Sequence, residues 1–217
     1  MSFDCAFCGQ STGTPQQNDI LALIDEAWAV RPVLAELGAA VAMPSVGALT
    51  PGHTLVCPTK HHRSLLATPE DAAADVQSLV NRVRARLEYA TGLPTHVFEH
   101  GSSRHGKRVA CSVEHAHVHI LPCEVDVRST VSKIVRWQPA GNNLDDLRRV
   151  VGDSEYLLYE APTGERLAAA TEIGLPSQLL RKVFAAALDV EQWDWHLDPA
   201  VERIAATAEL FGVCVTA

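Results

Sequence analysis

Between Cys111 and Pro122 the chain reads Cys-Ser-Val-Glu-His-Ala-His-Val-His-Ile-Leu-Pro, histidines alternating with small or β-branched residues. In an extended strand, successive side chains point to opposite faces. His115, His117 and His119 then share one face, and Ala116, Val118 and Ile120 share the other. The apolar face reads as core. The other is a row of imidazoles spaced about 7 Å apart. A helix would scatter these side chains around its axis. Pro122, which has no N–H for a ladder, ends the run. Near neutral pH, imidazole serves as nucleophile, acid, base or metal ligand. Three in strict alternation, with Ser112 shortly before them, mark a candidate site rather than a chance exposure.

Two further stretches bear on that row. Gly52-His53-Thr54-Leu55-Val56-Cys57-Pro58-Thr59-Lys60-His61 is Gly-His, an apolar strand, Pro, and a His three residues on; Cys5-Ala6-Phe7-Cys8 is a Cys-x-x-Cys pair. Together the three stretches resemble the histidine triad (HIT) superfamily of nucleotide hydrolases and transferases, in its zinc-bearing branch. The resemblance is specific over residues 1–125 and loose beyond. It implies an α+β fold: a mainly antiparallel sheet carrying the triad, a long helix packed on it, and a C-terminal α/β extension. The expected division is a HIT-like catalytic domain at 1–125 with 126–217 packed against it.

The resemblance also implies roles. His117 matches the nucleophile that forms a nucleotidyl-histidine, and His119 and Ser112 match groups that meet the phosphate or leaving atom. Cys5, Cys8, His61 and His115 match the ligands of a closed, structural zinc, with His62 the alternative to His61. Ser45 falls where many members carry an Asp that binds the ribose hydroxyls, and Cys111 falls where Gln is usual. Relatives that transfer nucleotidyl groups commonly have Gln at the third histidine, so His119 points to hydrolysis. The expected activity is cleavage of a phosphoanhydride, phosphoramidate or phosphoester bond in a nucleotide or other phosphorylated small molecule. The alternatives are a nucleotidyl transferase or phosphorylase, a non-catalytic nucleotide-binding protein, or an open catalytic metal site. Members often dimerise through the sheet, which implies a homodimer.

Beside the row lies His100-Gly101-Ser102-Ser103-Arg104-His105-Gly106-Lys107-Arg108. This basic, glycine-rich loop reads either as a phosphate clamp through Arg104, Lys107 or Arg108, or as a solvated hairpin tip. The net charge of −8 argues against a broad nucleic-acid surface, so any phosphate site is local. No apolar run approaches a membrane span of about 20 residues. The N-terminus lacks a secretory pattern, which points to a cytoplasmic protein whose six cysteines are thiols or metal ligands rather than disulfides.

The remaining elements follow from periodicity. Thr68 to Gly92 is the strongest helix, with Thr68 as N-cap, Pro69 at the first position, and an apolar stripe of Val76, Leu79, Val80, Val83 and Leu87. The mixed pattern from Ile20 to Leu37 supports a helix only weakly. Strands are expected at Ala39–Met43, His53–Cys57, Thr95–Glu99 and Glu155–Glu160, the last paired with the segment through Thr171. Short helices are expected after caps at Asn143, Ser177 and Asp198. Gln178, Arg181 and Lys182 read as a solvated helix face, with anion binding as the lesser reading.

Overall fold

The structure, a computed structural model, describes residues 5, 7, 8, 32–102, 115–171 and 174–213. In chain order the strands are β1 (Ala35–Leu37), β2 (Ala40–Pro44), β3 (Thr54–Pro58), β4 (Thr95–Gly101), β5 (Val118–Pro122), β6 (Gln138–Pro139), β7 (Glu155–Glu160) and β8 (Arg166–Thr171). The helices are α1 (Glu70–Thr91), α2 (Arg128–Val131), α3 (Leu144–Val151), α4 (Leu179–Ala187) and α5 (Val201–Leu210). All strand pairs are antiparallel and form one sheet in the order β1-β2-β3-β5-β4-β7-β8-β6. The chain beyond residue 125 therefore continues the same sheet through the β4–β7 pair.

One sheet face packs on α1. Its apolar stripe buries Val76, Leu79, Val80, Val83 and Leu87 against Val56, Val97, Val118 and Ile120. Fully burying an aliphatic side chain is worth about 1.5–3 kcal/mol, so this stripe outweighs any capping effect in fixing α1. Gly92 ends the helix at φ +69, and its N–H donates to the Glu88 carbonyl. The opposite face carries a second cluster in which Phe98, Leu157 and Tyr159 meet Leu180 and Phe184 of α4. A smaller cluster of Phe7, Val41, Met43 and Leu55 covers the β2–β3 end of that face. The candidate site lies between these two clusters, because Leu55, His119 and Phe98 are aligned across β3, β5 and β4.

Several local expectations need correction. Thr68 does not cap α1: its hydroxyl donates to the Ser64 carbonyl and closes a 3-10 turn at Leu65–Ala67, leaving Pro69 as the N-cap. Gln178, at φ 59, rather than Ser177, precedes α4. Ala200 precedes α5, and Asp198 accepts from the Ala200 N–H instead of from the helix interior. Asn143 does cap α3, accepting from the Asp146 N–H at 2.8 Å. Of the segment read as helix from Ile20, the last three residues form β1 and the part through residue 31 lies outside the described residues. Among the described residues no helix is long and apolar enough to cross a membrane.

Candidate functional site: a chain of ordered imidazoles

The histidine run divides. Val118–Pro122 is strand, whereas His115–His117 precede it and Cys111–Glu114 lie outside the described residues. The Ala116 N–H donates to the His62 carbonyl rather than to a neighbouring strand, which turns the chain before β5 begins. His115 then faces the N-terminal knuckle, while the His117 and His119 rings stay together at 5.1 Å. Val118 and Ile120 enter the core under α1, as the alternation requires.

Each of these imidazoles is oriented by a partner of fixed polarity. His115 Nε2 is 2.8 Å from the Pro58 carbonyl, which can only accept. His115 Nε2 therefore carries the proton and Nδ1 presents a lone pair. His117 Nδ1 is 2.6 Å from the His115 carbonyl, so the same logic puts its proton on Nδ1 and makes Nε2 the lone-pair nitrogen. For His119 the order comes through a residue that sequence reasoning left out of the site. The Leu49 N–H donates to His53 Nδ1 at 3.1 Å, so His53 carries its proton on Nε2. That Nε2–H donates to His119 Nδ1 at 3.0 Å, and His119 is left with a proton on Nε2. Two neighbouring histidines thus present opposite ends: a lone pair from His117 and an N–H from His119.

Burial keeps the inner pair neutral. It lowers the pKa values of both His53 and His119 well below the ordinary histidine range. The neighbouring His117 acts in the same direction on His119, and Arg181 and Arg203 do so on His53. His119 also stacks on Phe98, ring centroids 4.6 Å apart and nearly parallel. On the far side of His117 stands Phe7, edge to face at 5.3 Å. His100 of β4 pairs with Glu155 at 2.6 Å on the rim.

Cys5, Cys8, His61 and His115 converge, their ligand atoms all within 4.8 Å of one another. The Sγ–Nδ1 separations are 3.5 Å for Cys5–His115 and 3.6 Å for both Cys8–His61 and Cys8–His115. A tetrahedral ion with bonds of about 2.3 Å to sulfur and about 2.05 Å to nitrogen has S···N edges of about 3.6 Å. The donor set fits such an ion, and the His115–Pro58 bond supplies the outer partner that orients a metal-bound imidazole. His62, the alternative ligand, is outside the cluster.

The other expected residues fare differently. Ser112, Arg104, Lys107 and Arg108 lie outside the described residues, as does Cys111. Ser45 is buried, and its hydroxyl accepts from Arg181 Nη1 at 3.0 Å and donates to the Val46 carbonyl at 3.3 Å. Both of these hydroxyl contacts are within the protein. Arg181, read as part of a solvated face, is 5% exposed and anchored on Ser45 and the Gly47 carbonyl. Its only sequence signal was an arginine among the apolar positions of a helix.

A family model described as HIT domain matches residues 31–125. An uncharacterized HIT-like protein, found in two strains of Mycobacterium tuberculosis, is 32% identical over 131 residues, spanning 59% of this chain and 78% of its own. Among solved structures, a hypothetical histidine triad nucleotide-binding protein from Sulfolobus tokodaii is 25% identical, covering 56% of this chain and 71% of its own at a TM-score of 0.40. A Zn-bound histidine triad family protein from Mycobacterium smegmatis is 19% identical, with coverages of 57% and 78% and a TM-score of 0.41.

Proposed function

The chain belongs to the HIT family, and from that premise we propose that it is a nucleotide hydrolase working through a nucleotidyl-histidine on His117. The observation that carries this reading is the 2.6 Å contact between His117 Nδ1 and the His115 carbonyl, which leaves Nε2 unprotonated and fixed in direction. Covalent catalysis splits one difficult displacement into two easier ones. His117 Nε2 attacks the substrate phosphorus, and the bond from phosphorus to the leaving oxygen or nitrogen breaks. His119 gives its Nε2 proton to that leaving atom, and the negative charge left on its ring is offset by the positive charge that the His117 ring acquires on bonding to phosphorus. In the second step His119 takes a proton from water as the water attacks phosphorus and the P–N bond to His117 breaks. A nucleoside monophosphate is released and both imidazoles return to their starting state.

In the same reading Ser112 hydrogen-bonds the leaving atom or a phosphate oxygen, and Arg104, Lys107 and Arg108 hold the phosphate. Zinc is held by Cys5, Cys8, His61 and His115 and is structural, since four protein ligands leave no position for water. It would fix the knuckle that carries Phe7 against His117. The enzyme is a cytoplasmic homodimer in this reading, and light scattering checks its mass.

The test uses an AMP phosphoramidate and a dinucleoside polyphosphate with wild type and His117→Asn, each with and without inorganic phosphate. Wild type should release AMP and show a transient nucleotidyl adduct by mass spectrometry, and His117→Asn should lose both. Equal turnover in the variant would sink the reading. Formation of a phosphorolysis product would move it to transfer.

A further inference from the structure

We propose that Arg203, delivered by the C-terminal helix α5, is a positioning residue that selects the tautomer of the His53–His119 pair by holding one peptide plane in place. The proposal rests on the reading of His119 as proton donor to the leaving group. The plane is the peptide between Ala48 and Leu49. At one end its N–H donates to His53 Nδ1 at 3.1 Å. At the other end its carbonyl accepts from Arg203 Nη1 at 2.6 Å. A guanidinium on the carbonyl polarises the amide and strengthens the N–H as a donor.

The consequence of releasing that plane follows from polarity alone. Turned over, the peptide would present its carbonyl to His53 Nδ1. An acceptor there requires the His53 proton on Nδ1, which leaves Nε2 bare against His119 Nδ1. His119 would then have to donate from Nδ1, and its Nε2 would become a lone pair with no proton to give. Leu49 belongs to the buried cluster of Phe98, Leu121 and Leu180, and the Thr50 hydroxyl donates to the Pro122 carbonyl, while the polar contacts just before the Ala48–Leu49 peptide come from the C-terminal end of the chain. Arg181 Nη2 donates to the Gly47 carbonyl at 2.7 Å, and the Gly47 N–H donates to the Pro199 carbonyl at 2.8 Å. Gly47 sits at φ +63 with Trp195 atoms 2.7–2.8 Å from where a Cβ would stand, so the approach requires glycine. The C-terminal segment thus grips the loop on both sides of the peptide that orders the histidines.

The test reads protons directly and needs no turnover. Imidazole nitrogen NMR of histidine-labelled protein should show His53 and His119 both protonated at Nε2 in wild type. Arg203→Met should convert them to a mixture, and Arg203→Lys, which keeps a donor for the Ala48 carbonyl, should restore the single form. Kinetics give a second arm. Arg203→Met should lower kcat/KM at least tenfold for an AMP alkylphosphoramidate, whose amine must be protonated to leave. It should change by less than about threefold for AMP p-nitrophenyl ester, whose phenolate leaves unaided; a positioned general acid contributes about 10²–10⁴-fold. Equal losses on both substrates, or unchanged tautomers in Arg203→Met, would overturn the proposal. If that variant does not fold, a wild-type His53 protonated at Nδ1 would overturn it alone. Wild type inactive on both substrates would refute the hydrolase reading, with the tautomer arm still deciding this one.

Discussion

His53 Nε2 stands 3.0 Å from His119 Nδ1, and the exposures of the two residues are 0% and 8%. In that setting the pair has no water to substitute for either partner, so each ring fixes the other's proton. Replacing His53 by Phe removes the donor and leaves His119 Nδ1 as an unmet acceptor. An unsatisfied buried acceptor costs about 1–3 kcal/mol, and urea unfolding of His53→Phe should show a loss in that range. Activity on amine leaving groups should fall more than activity on p-nitrophenolate. A variant as stable and as active as wild type would mean that His119 finds its orientation elsewhere.

The pairing of His117 with His119, the stripe on α1 and the Asn143 cap were legible because each depends on neighbours in sequence, whereas His115 leaves the expected row because β5 begins only at Val118. The convergence of Cys5, Cys8, His61 and His115 was legible too, through the resemblance. What escaped depends on residues far apart in the chain. His53 acquires its role only from the β3–β5 register and the Leu49 N–H, and Arg203 reaches the Ala48 carbonyl across 155 positions. Thr68 looked like a helix cap because Pro69 follows it, but a tight turn from Ser64 claimed its hydroxyl first. Arg181 looked solvated because its helix is short and mixed, whereas its guanidinium is buried on three oxygens.

The cluster of two thiols and two imidazoles predicts a stoichiometric metal. Purified protein should contain one zinc per chain by elemental analysis. Cys8→Ser should lower that content sharply, and removal of the ion with a chelator should lower the melting temperature. Structural zinc contributes about 10–16 kcal/mol of binding free energy in small domains, so the shift should be large and reversed by added zinc. Full activity and an unchanged melting temperature in metal-free protein would show that the four side chains need no ion.

His96 gives a pH dependence apart from the catalytic and metal residues. Its Nε2–H donates to the Cys123 carbonyl at 3.1 Å and its Nδ1 accepts from the Tyr159 hydroxyl at 2.7 Å, so the ring is neutral. Burial lowers its pKa below the ordinary 6.5. The unfolded chain therefore binds a proton that the folded one resists. Stability is full above about pH 6.5 and falls as pH drops toward the lower folded value, by at most about 1.4 kcal/mol per pH unit for this group. Glu99 opposes the trend at lower pH, because burial raises its pKa and the folded state then holds its proton more tightly. The slope of unfolding free energy between pH 7 and 5.5 should be shallower in His96→Gln than in wild type. Identical slopes would show that His96 is protonated in the fold at no cost.

Glu99 also supports the segment that carries His61. Its Oε1 accepts from the Leu65 N–H at 2.8 Å and its Oε2 from the Tyr156 hydroxyl at 2.6 Å, with the carboxyl 2% exposed. The Leu65–Ala67 turn is thereby tied through β4 to β7, so the metal-side loop depends on a strand contributed after residue 125. Tyr156→Phe removes the donor while keeping the ring, and should cost about 1–3 kcal/mol because the acceptor stays buried. Glu99→Gln should cost less, since the amide oxygen still meets the Leu65 N–H and its NH₂ can donate to the Tyr156 oxygen. The double variant should show coupling of about 0.5–3 kcal/mol, as for residues in direct contact. Strict additivity in that cycle would mean that the two side chains stabilise the fold independently and that the turn after His61 is held by its own backbone.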